Sequence, residues 1–156
     1  MEKIGFYAGS FDPFTNGHLH VVKTSAKLFD KVIIGIGINP TKERRFNTQT
    51  MLSAIKETLK EEQLSNVEVI SYDNLSVTTA IEHNCSFLIR GIRNGMDYDF
   101  EETLASFNKE VSNLDTIYIR AGETGPINST MIMDLIRNNA DVSKFLPKQI
   151  INVIKE

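Results

Sequence analysis

The hydrophobic pattern along the chain predicts strands that alternate with helices. Short runs of β-branched and aromatic residues, typical of strands, lie at residues 3–8, 32–38, 67–70, 87–89 and 116–119. Apolar residues recur at helical spacing between these runs, in residues 18–29, 48–64, 76–84 and 99–111. A further apolar helix is predicted after residue 130. Strands and helices therefore alternate along the whole chain.

The second predicted strand, "VIIGIGI", is apolar almost without interruption, which favours a parallel sheet buried on both faces. We therefore predict an α/β fold: a Rossmann-like, doubly wound sheet of five parallel strands with helices on both faces. The 156 residues suit one domain of ordinary size, so we expect a single domain over residues 1–156. In such sheets ligands bind beyond the carboxyl ends of the strands, and the loops there are the place to look for function.

Composition and charge narrow the class of protein. Hydrophobic residues make up 41% and charged residues 24% of the sequence, as in soluble globular proteins. The net charge of -3 comes from interleaved acidic and basic residues, which argues against a nucleic-acid partner. No apolar run approaches the roughly 18 residues of a membrane span, and no signal-peptide pattern opens the chain, so we expect no membrane partner and a cytoplasmic location. The single cysteine, Cys85, is interpreted as a buried core residue.

The first strand is followed by "AGSFDPFTNGH", which contains more turn-forming and polar residues than a turn needs. Gly9 would let the backbone approach a ligand closely, and Ser10 offers a hydroxyl and an amide. Asn16 or Gly17 would tolerate a positive φ. His18 follows at the start of a helix, where unpaired N–H groups and the helix dipole favour a phosphate. A capping turn with a surface histidine is the alternative.

Basic residues follow the second strand, in "NPTKERRF": Lys42, Arg44 and Arg45 either contribute to an anion site or form a solvated turn. Arg90 and Arg93 follow the fourth strand, in "LIRGIR". We expect both to bind phosphate, because guanidinium groups match phosphate oxygens bidentately.

Salt bridges to Asp97, Asp99 or Glu101 are the alternative for these two arginines. After the fifth strand, "AGETGPINST" places glycines and hydroxyl side chains at another helix start. Four such loops at one edge of a sheet indicate a polyphosphate site.

The motifs "GSFDPFTNGH", "LIRGIR", "DYDFEE", "INST" and "DVSKFLP" together resemble the phosphopantetheine adenylyltransferases, a family of nucleotidylyltransferases, over about residues 4–147. The resemblance implies an enzyme that transfers the adenylyl group of ATP to 4′-phosphopantetheine. The products would be dephospho-coenzyme A and pyrophosphate, in coenzyme A biosynthesis. The family also implies Mg²⁺ bound with ATP and assembly as a homohexamer.

The resemblance also implies roles for individual residues. Those implied in catalysis are Ser10, His18, Lys42 and Arg93. Those implied in ATP binding are Ser10, Phe11, His18, Gly91, Ile92, Arg93, Glu101, Thr124, Gly125, Pro126, Ile127, Asn128, Ser129 and Thr130. Those near the acceptor are Ser10, Lys42, Ser76, Arg90, Leu104 and Asn108. No side chain is implied as a metal ligand. His18 is expected to be driven towards its protonated form by neighbouring phosphates.

The sequence departs from the family pattern at a few positions. Met133 stands where a basic residue is usual, and Ser76 where an apolar one is usual. Other nucleotidylyltransferases share the first motif, notably nicotinate-mononucleotide adenylyltransferases and cytidylyltransferases, but "LIRGIR" followed by "DYDFEE" argues against both. A non-catalytic nucleotide-binding module is a further alternative. The joint presence of Ser10, His18, Lys42 and Arg90 argues against it.

Overall fold

The computed structural model describes residues 1–121 and 128–155. The strands are β1 (Ile4–Gly9), β2 (Lys31–Gly37), β3 (Val67–Tyr72), β4 (Phe87–Ile92) and β5 (Asp115–Arg120). The helices are α1 (Asn16–Leu28), α2 (Thr48–Glu61), α3 (Ser76–Glu82), α4 (Gly95–Ser112), α5 (Ser129–Arg137) and α6 (Lys148–Ile154). No helix in these described ranges is long and apolar enough to cross a membrane.

The strands form one parallel sheet in the order β3-β2-β1-β4-β5. From β1, the chain adds β2 and then β3 on one side of the sheet. It then returns to the other side of β1, where it adds β4 and then β5. This arrangement confirms the predicted doubly wound α/β fold. The strand order reverses between β1 and β4, and ligands bind at such a switch point. The loops after β1 and β4 meet there.

Two hydrophobic clusters pack on opposite faces of the sheet. Tyr7 and Ile34 belong to one cluster, and their neighbours Phe6 and Ile33 belong to the other. This alternation follows the two-residue period of a strand and explains why the central strands are apolar at nearly every position. Cys85 lies in the second cluster, as expected, where burial raises the pKa of its thiol to about 11.

The structure corrects several details near the first loop and at the C-terminus. Helix α1 begins at Asn16, because the Thr15 side chain caps it. The positive φ in the first loop belongs to Phe11, at 46°, and not to Asn16 or Gly17. Helix α4 begins at Gly95, one turn before the predicted start, with Asn94 as its cap. Helix α6 was not predicted.

Candidate active site

A cavity of about 530 Å³ opens at the switch point of the sheet. The carboxyl ends of β1 and β4 and the first turns of α1 and α5 border it. It brings together many residues predicted from sequence to belong to the site: Ser10, Phe11, His18, Arg90, Gly91, Arg93, Glu101, Asn128, Ser129 and Thr130. These side chains come from distant parts of the chain.

Other predicted residues lie outside this cavity. Ser76 lines a second cavity of about 720 Å³, which shares Gly9 and Ser10 with the first. Neither cavity wall includes Ile92 at the end of β4, Lys42 in the loop after β2, or Leu104 and Asn108 on α4. The predicted positions Thr124, Gly125, Pro126 and Ile127 lie outside the described residues.

The loop after β1 is fastened to the loop after β2. The Arg44 guanidinium, with its side chain only 15% exposed, donates to the carbonyl oxygens of Ser10 (2.7 Å) and Phe11 (3.4 Å). In return, the Asp12 carboxylate accepts a hydrogen bond from the backbone N–H of Arg45 (2.8 Å). Arg44 therefore supports the first loop, while Arg45 lines the cavity.

Gly9 has a packing role in this loop. A Cβ at Gly9 would lie only 3.0 Å from the Phe11 ring. Glycine is therefore required here because the backbone packs closely against the Phe11 side chain. The Phe11 ring is buried and meets the rings of Tyr7 and His18, with centroids 5.2 Å and 5.0 Å away. Phe11 thus helps to fix the imidazole at the cavity wall.

His18 closes an unusual capping box at the start of α1. Its backbone N–H donates to the Thr15 hydroxyl (3.2 Å), and its Nδ1 accepts from the Thr15 backbone N–H (2.9 Å). Because Nδ1 accepts, the proton of a neutral ring lies on Nε2. Nε2 makes no hydrogen bond to residues in the described ranges, so it is available to a ligand. The Asn16 N–H also donates to the Phe145 carbonyl oxygen (2.7 Å), which ties the "DVSKFLP" segment to the same helix start.

Without neighbouring phosphates His18 favours its neutral form, whereas the protonated form expected from sequence depends on phosphates bound beside the ring. Burial, assisted by the charges of Arg90 and Arg93, lowers the pKa of His18 from 6.5 to about 4. Protonation would also convert Nδ1 to a donor and remove its hydrogen bond from Thr15. In the protein without substrates, the ring is therefore neutral at pH 7. It can still donate a hydrogen bond from Nε2.

Arg90, near the end of β4, and Arg93, just after it, are both paired with carboxylates. Arg90 binds Glu101 through Nε (2.7 Å) and Nη2 (2.8 Å), and its Nη1 donates to the Ala8 carbonyl oxygen. Arg93 binds Asp97 through Nε (2.8 Å) and Nη2 (2.9 Å). The salt-bridge alternative is therefore what the structure contains. Both guanidinium groups still line the cavity, and their partners fix their orientation.

Sequence reasoning assigned no role to Tyr7 and did not single out Arg45, yet both line the cavity. Tyr7 is only 4% exposed, and its hydroxyl makes no hydrogen bond within residues 1–121 and 128–155. Burial is the main cause that raises the pKa of Tyr7 above its usual value, so this hydroxyl stays protonated and can donate. The available signal was a tyrosine near the end of a buried strand, next to a glycine-rich loop.

Comparison with known proteins places the chain in a family. A family model described as cytidylyltransferase-like matches residues 6–135. A phosphopantetheine adenylyltransferase from Flavobacterium psychrophilum is 39% identical over 145 residues, which cover 92% of this chain and 95% of the relative. One from Allorhizobium ampelinum is 38% identical and covers 97% and 96% of the two chains. The chain belongs to the phosphopantetheine adenylyltransferase family. Its membership confirms the resemblance drawn from the motifs.

Solved structures give a consistent fold. A Vibrio parahaemolyticus protein assigned as a nicotinate-nucleotide adenylyltransferase superposes with a TM-score of 0.73. The match covers 99% of both chains at 18% sequence identity. At that identity the likeness concerns the fold alone. It agrees with the nucleotidylyltransferase arrangement of strands and helices expected for this family.

Proposed function

We propose that this phosphopantetheine adenylyltransferase relative transfers the adenylyl group of ATP to 4′-phosphopantetheine in coenzyme A biosynthesis. The products are dephospho-coenzyme A and pyrophosphate. The observation that carries the proposal is the cavity at the switch point, where the first turns of α1 and α5 face three guanidinium groups and the free edge of His18. Helix N-termini and guanidinium groups are the groups that proteins use to hold phosphates.

The second cavity supports a position for the acceptor beside ATP. It adjoins the first cavity at Gly9 and Ser10, and Ser76 lines its wall. An acceptor phosphate at Ser10 would face a nucleotide in the first cavity. Arg90, Lys42, Leu104 and Asn108 remain the proposed acceptor contacts by family resemblance.

The proposed reaction is a direct in-line displacement. An oxygen of the acceptor phosphate forms a bond to the α-phosphorus of ATP, and the bond from that phosphorus to the bridging β-phosphate oxygen breaks. Pyrophosphate carries away the bonding electron pair, and no covalent enzyme intermediate forms. Holding two anions in line can supply about 7–11 kcal/mol through proximity. The cations of the cavity offset the repulsion between the two anions.

His18 is the proposed donor to the transferring phosphate. Its Nε2–H would bind a non-bridging oxygen of the α-phosphate, where negative charge develops. Loss of one such donor costs on the order of 10²–10³ in turnover. We therefore expect His18→Ala to lower kcat by about that factor while the protein stays folded. Unchanged turnover in folded His18→Ala would remove His18 from this role.

Mg²⁺ is proposed to enter with ATP. Within the described ranges, no group of three or more His, Cys, Asp and Glu side chains could hold a metal ion, and the cavity carboxylates of Asp97 and Glu101 are engaged by arginines. These residues fit an ion held by phosphate oxygens and water, as is common for Mg²⁺. Bound in this way, Mg²⁺ would neutralise part of the charge of the triphosphate.

We also propose that the chain assembles with copies of itself, as a homohexamer by family resemblance. Helix α4 carries a row of exposed apolar side chains: Met96 (83%), Phe100 (64%), Phe107 (57%) and Val111 (52%). Their spacing of four, seven and four residues places them along one side of a helix. Phe107→Glu should reduce the molar mass in solution measured by light scattering, and an unchanged mass would exclude this face from assembly.

The single domain and the cytoplasmic location remain predictions.

The acceptor can be tested by pyrophosphate release. Purified protein with ATP and Mg²⁺ is offered 4′-phosphopantetheine and nicotinate mononucleotide, separately and in competition. We expect pyrophosphate to appear with 4′-phosphopantetheine and dephospho-coenzyme A to accumulate in equal amount. Preference for nicotinate mononucleotide would replace the proposed substrate, and no release with either acceptor would favour the non-catalytic alternative.

A further inference from the structure

The cavity contains one guanidinium group whose charge has no carboxylate partner in the described parts of the chain. Arg90 and Arg93 each donate two hydrogen bonds to a carboxylate, so much of their charge is already compensated. Among the residues that the structure describes, the Arg45 guanidinium contacts only neutral acceptors: the Asp12 carbonyl oxygen (3.1 Å) and the Thr130 hydroxyl (3.5 Å). Within that part of the chain, Arg45 supplies a positive charge of the cavity wall that no carboxylate compensates.

The position of this group points to a particular part of the site. Arg45 belongs to the loop after β2, and its guanidinium reaches across to Thr130 in the first turn of α5. Backbone N–H groups in the first turn of a helix lack helical partners and attract anions. The 3.5 Å contact with Thr130 is at the outer limit of a hydrogen bond, so an anion can displace it at little cost.

The base of the Arg45 side chain is held in place. Its backbone N–H donates to the Asp12 carboxylate (2.8 Å), and the adjacent Arg44 is largely buried against the first loop. The guanidinium end remains exposed to the cavity. A planar fork on a fixed base loses little freedom when it binds two phosphate oxygens.

We propose that Arg45 binds the terminal phosphates of ATP, together with the first turn of α5, and keeps contact with them as they leave as pyrophosphate. The inference rests on the proposed function, because it takes ATP as the ligand of the first cavity. Arg45 then acts on the nucleotide and not on the acceptor. It is a substrate-binding residue that sequence reasoning could not separate from its neighbour Arg44.

The test compares Arg45→Gln and Arg45→Lys with Arg137→Gln as a matched control. Arg137 is a surface arginine at the far end of α5, paired with Asp134 and outside the cavity wall. Two readouts are used: the Michaelis constants for ATP and 4′-phosphopantetheine, and the calorimetric affinity for inorganic pyrophosphate. Circular dichroism and thermal unfolding establish that each variant is folded.

We expect Arg45→Gln to raise the Michaelis constant for ATP about tenfold and to weaken pyrophosphate binding about tenfold. Loss of a hydrogen bond to a charged group lowers affinity by at least that factor. The Michaelis constant for 4′-phosphopantetheine should change less than the one for ATP. Arg45→Lys should recover part of the lost affinity, and Arg137→Gln should match the wild type. If Arg45→Gln leaves both the Michaelis constant for ATP and the affinity for pyrophosphate unchanged, the inference is overturned. An equal rise in both Michaelis constants would also overturn it, since that would indicate a loop-wide structural effect.

Failure of the proposed function gives a different result. If the wild type releases no pyrophosphate with 4′-phosphopantetheine, the acceptor is wrong. The calorimetric comparison still tests Arg45, because it needs only the folded protein and pyrophosphate. Weaker pyrophosphate binding in Arg45→Gln, with partial recovery in Arg45→Lys and wild-type binding in Arg137→Gln, would support the anion site, and equal binding in all four proteins would overturn it.

Discussion

Replacing His18 by glutamine removes a half-buried titratable group and keeps the helix cap, because glutamine is a usual partner of a capping threonine at this position. The pKa of His18 is about 4 in the folded protein and 6.5 for the ordinary side chain. Between these pH values the unfolded chain binds a proton that the folded chain does not. The resulting stability is fully present above pH 6.5 and is lost as the pH falls towards 4.

The size of the effect follows from the shift in pKa. Each pKa unit corresponds to about 1.4 kcal/mol, so the shift from 6.5 to about 4 contributes about 3 kcal/mol to the free energy of unfolding at neutral pH. Urea unfolding at steps from pH 7 to pH 4 measures this quantity in the wild type and in His18→Gln. The difference between the two proteins should fall by about 3 kcal/mol across that range, because other titrating groups are shared.

His20 provides the matched control, since it lies exposed on the same helix. His20→Gln should follow the wild type at every pH. An NMR titration of the imidazole signals should show His18 still neutral at pH 5. A constant difference between the wild type and His18→Gln from pH 7 to pH 4, or a His18 signal that titrates near pH 6.5, would refute the reasoning.

Two further substitutions test the supports of the site. Glu101→Gln should destabilise the fold by about 1.5–3 kcal/mol, because it breaks a charge-assisted pair with Arg90, and it should raise the acceptor Michaelis constant; an unaltered urea midpoint would contradict this. Arg44→Gln should lower the free energy of unfolding by about 2 kcal/mol, because the hydrogen bonds from Arg44 to the carbonyl oxygens of Ser10 and Phe11 hold the first loop in place. In that variant, equal rises in both Michaelis constants are expected, and an effect on ATP alone would show that Arg44 binds substrate directly.

The sheet and the positions of its loops could be predicted because they depend on local patterns. Apolar strands and periodic helices each leave a signal within a dozen residues. Helix α6 is as short as α3 and, like α3, has no side-chain cap, but it does not lie between two predicted strands as α3 does. It is held by tertiary contacts with α2, including Lys148 to Glu61 (2.7 Å) and Thr58 to Gln149 (3.2 Å). Such partners cannot be read from the segment itself.

The candidate site was predicted in its residues more than in their contacts. Sequence showed that Arg90 could meet a phosphate or a carboxylate, but the choice depends on how α4 packs beside β4, which brings Glu101 within 2.7 Å. Arg44 and Arg45 are neighbouring side chains of the same type, so the sequence does not distinguish them. In the folded loop, Arg44 donates to the backbone of the first loop, whereas Arg45 lines the cavity. The state of His18 likewise depends on a hydrogen bond from Thr15.

The most direct test is a crystal structure of the protein with a non-hydrolysable ATP analogue, Mg²⁺ and 4′-phosphopantetheine. We predict that His18 Nε2 lies about 3 Å from an oxygen of the α-phosphate and that the Arg45 guanidinium contacts the terminal phosphates. The acceptor phosphate should stand in line near Ser10. A nucleotide bound outside this cavity, or an imidazole edge that faces no phosphate oxygen, would contradict the proposed function.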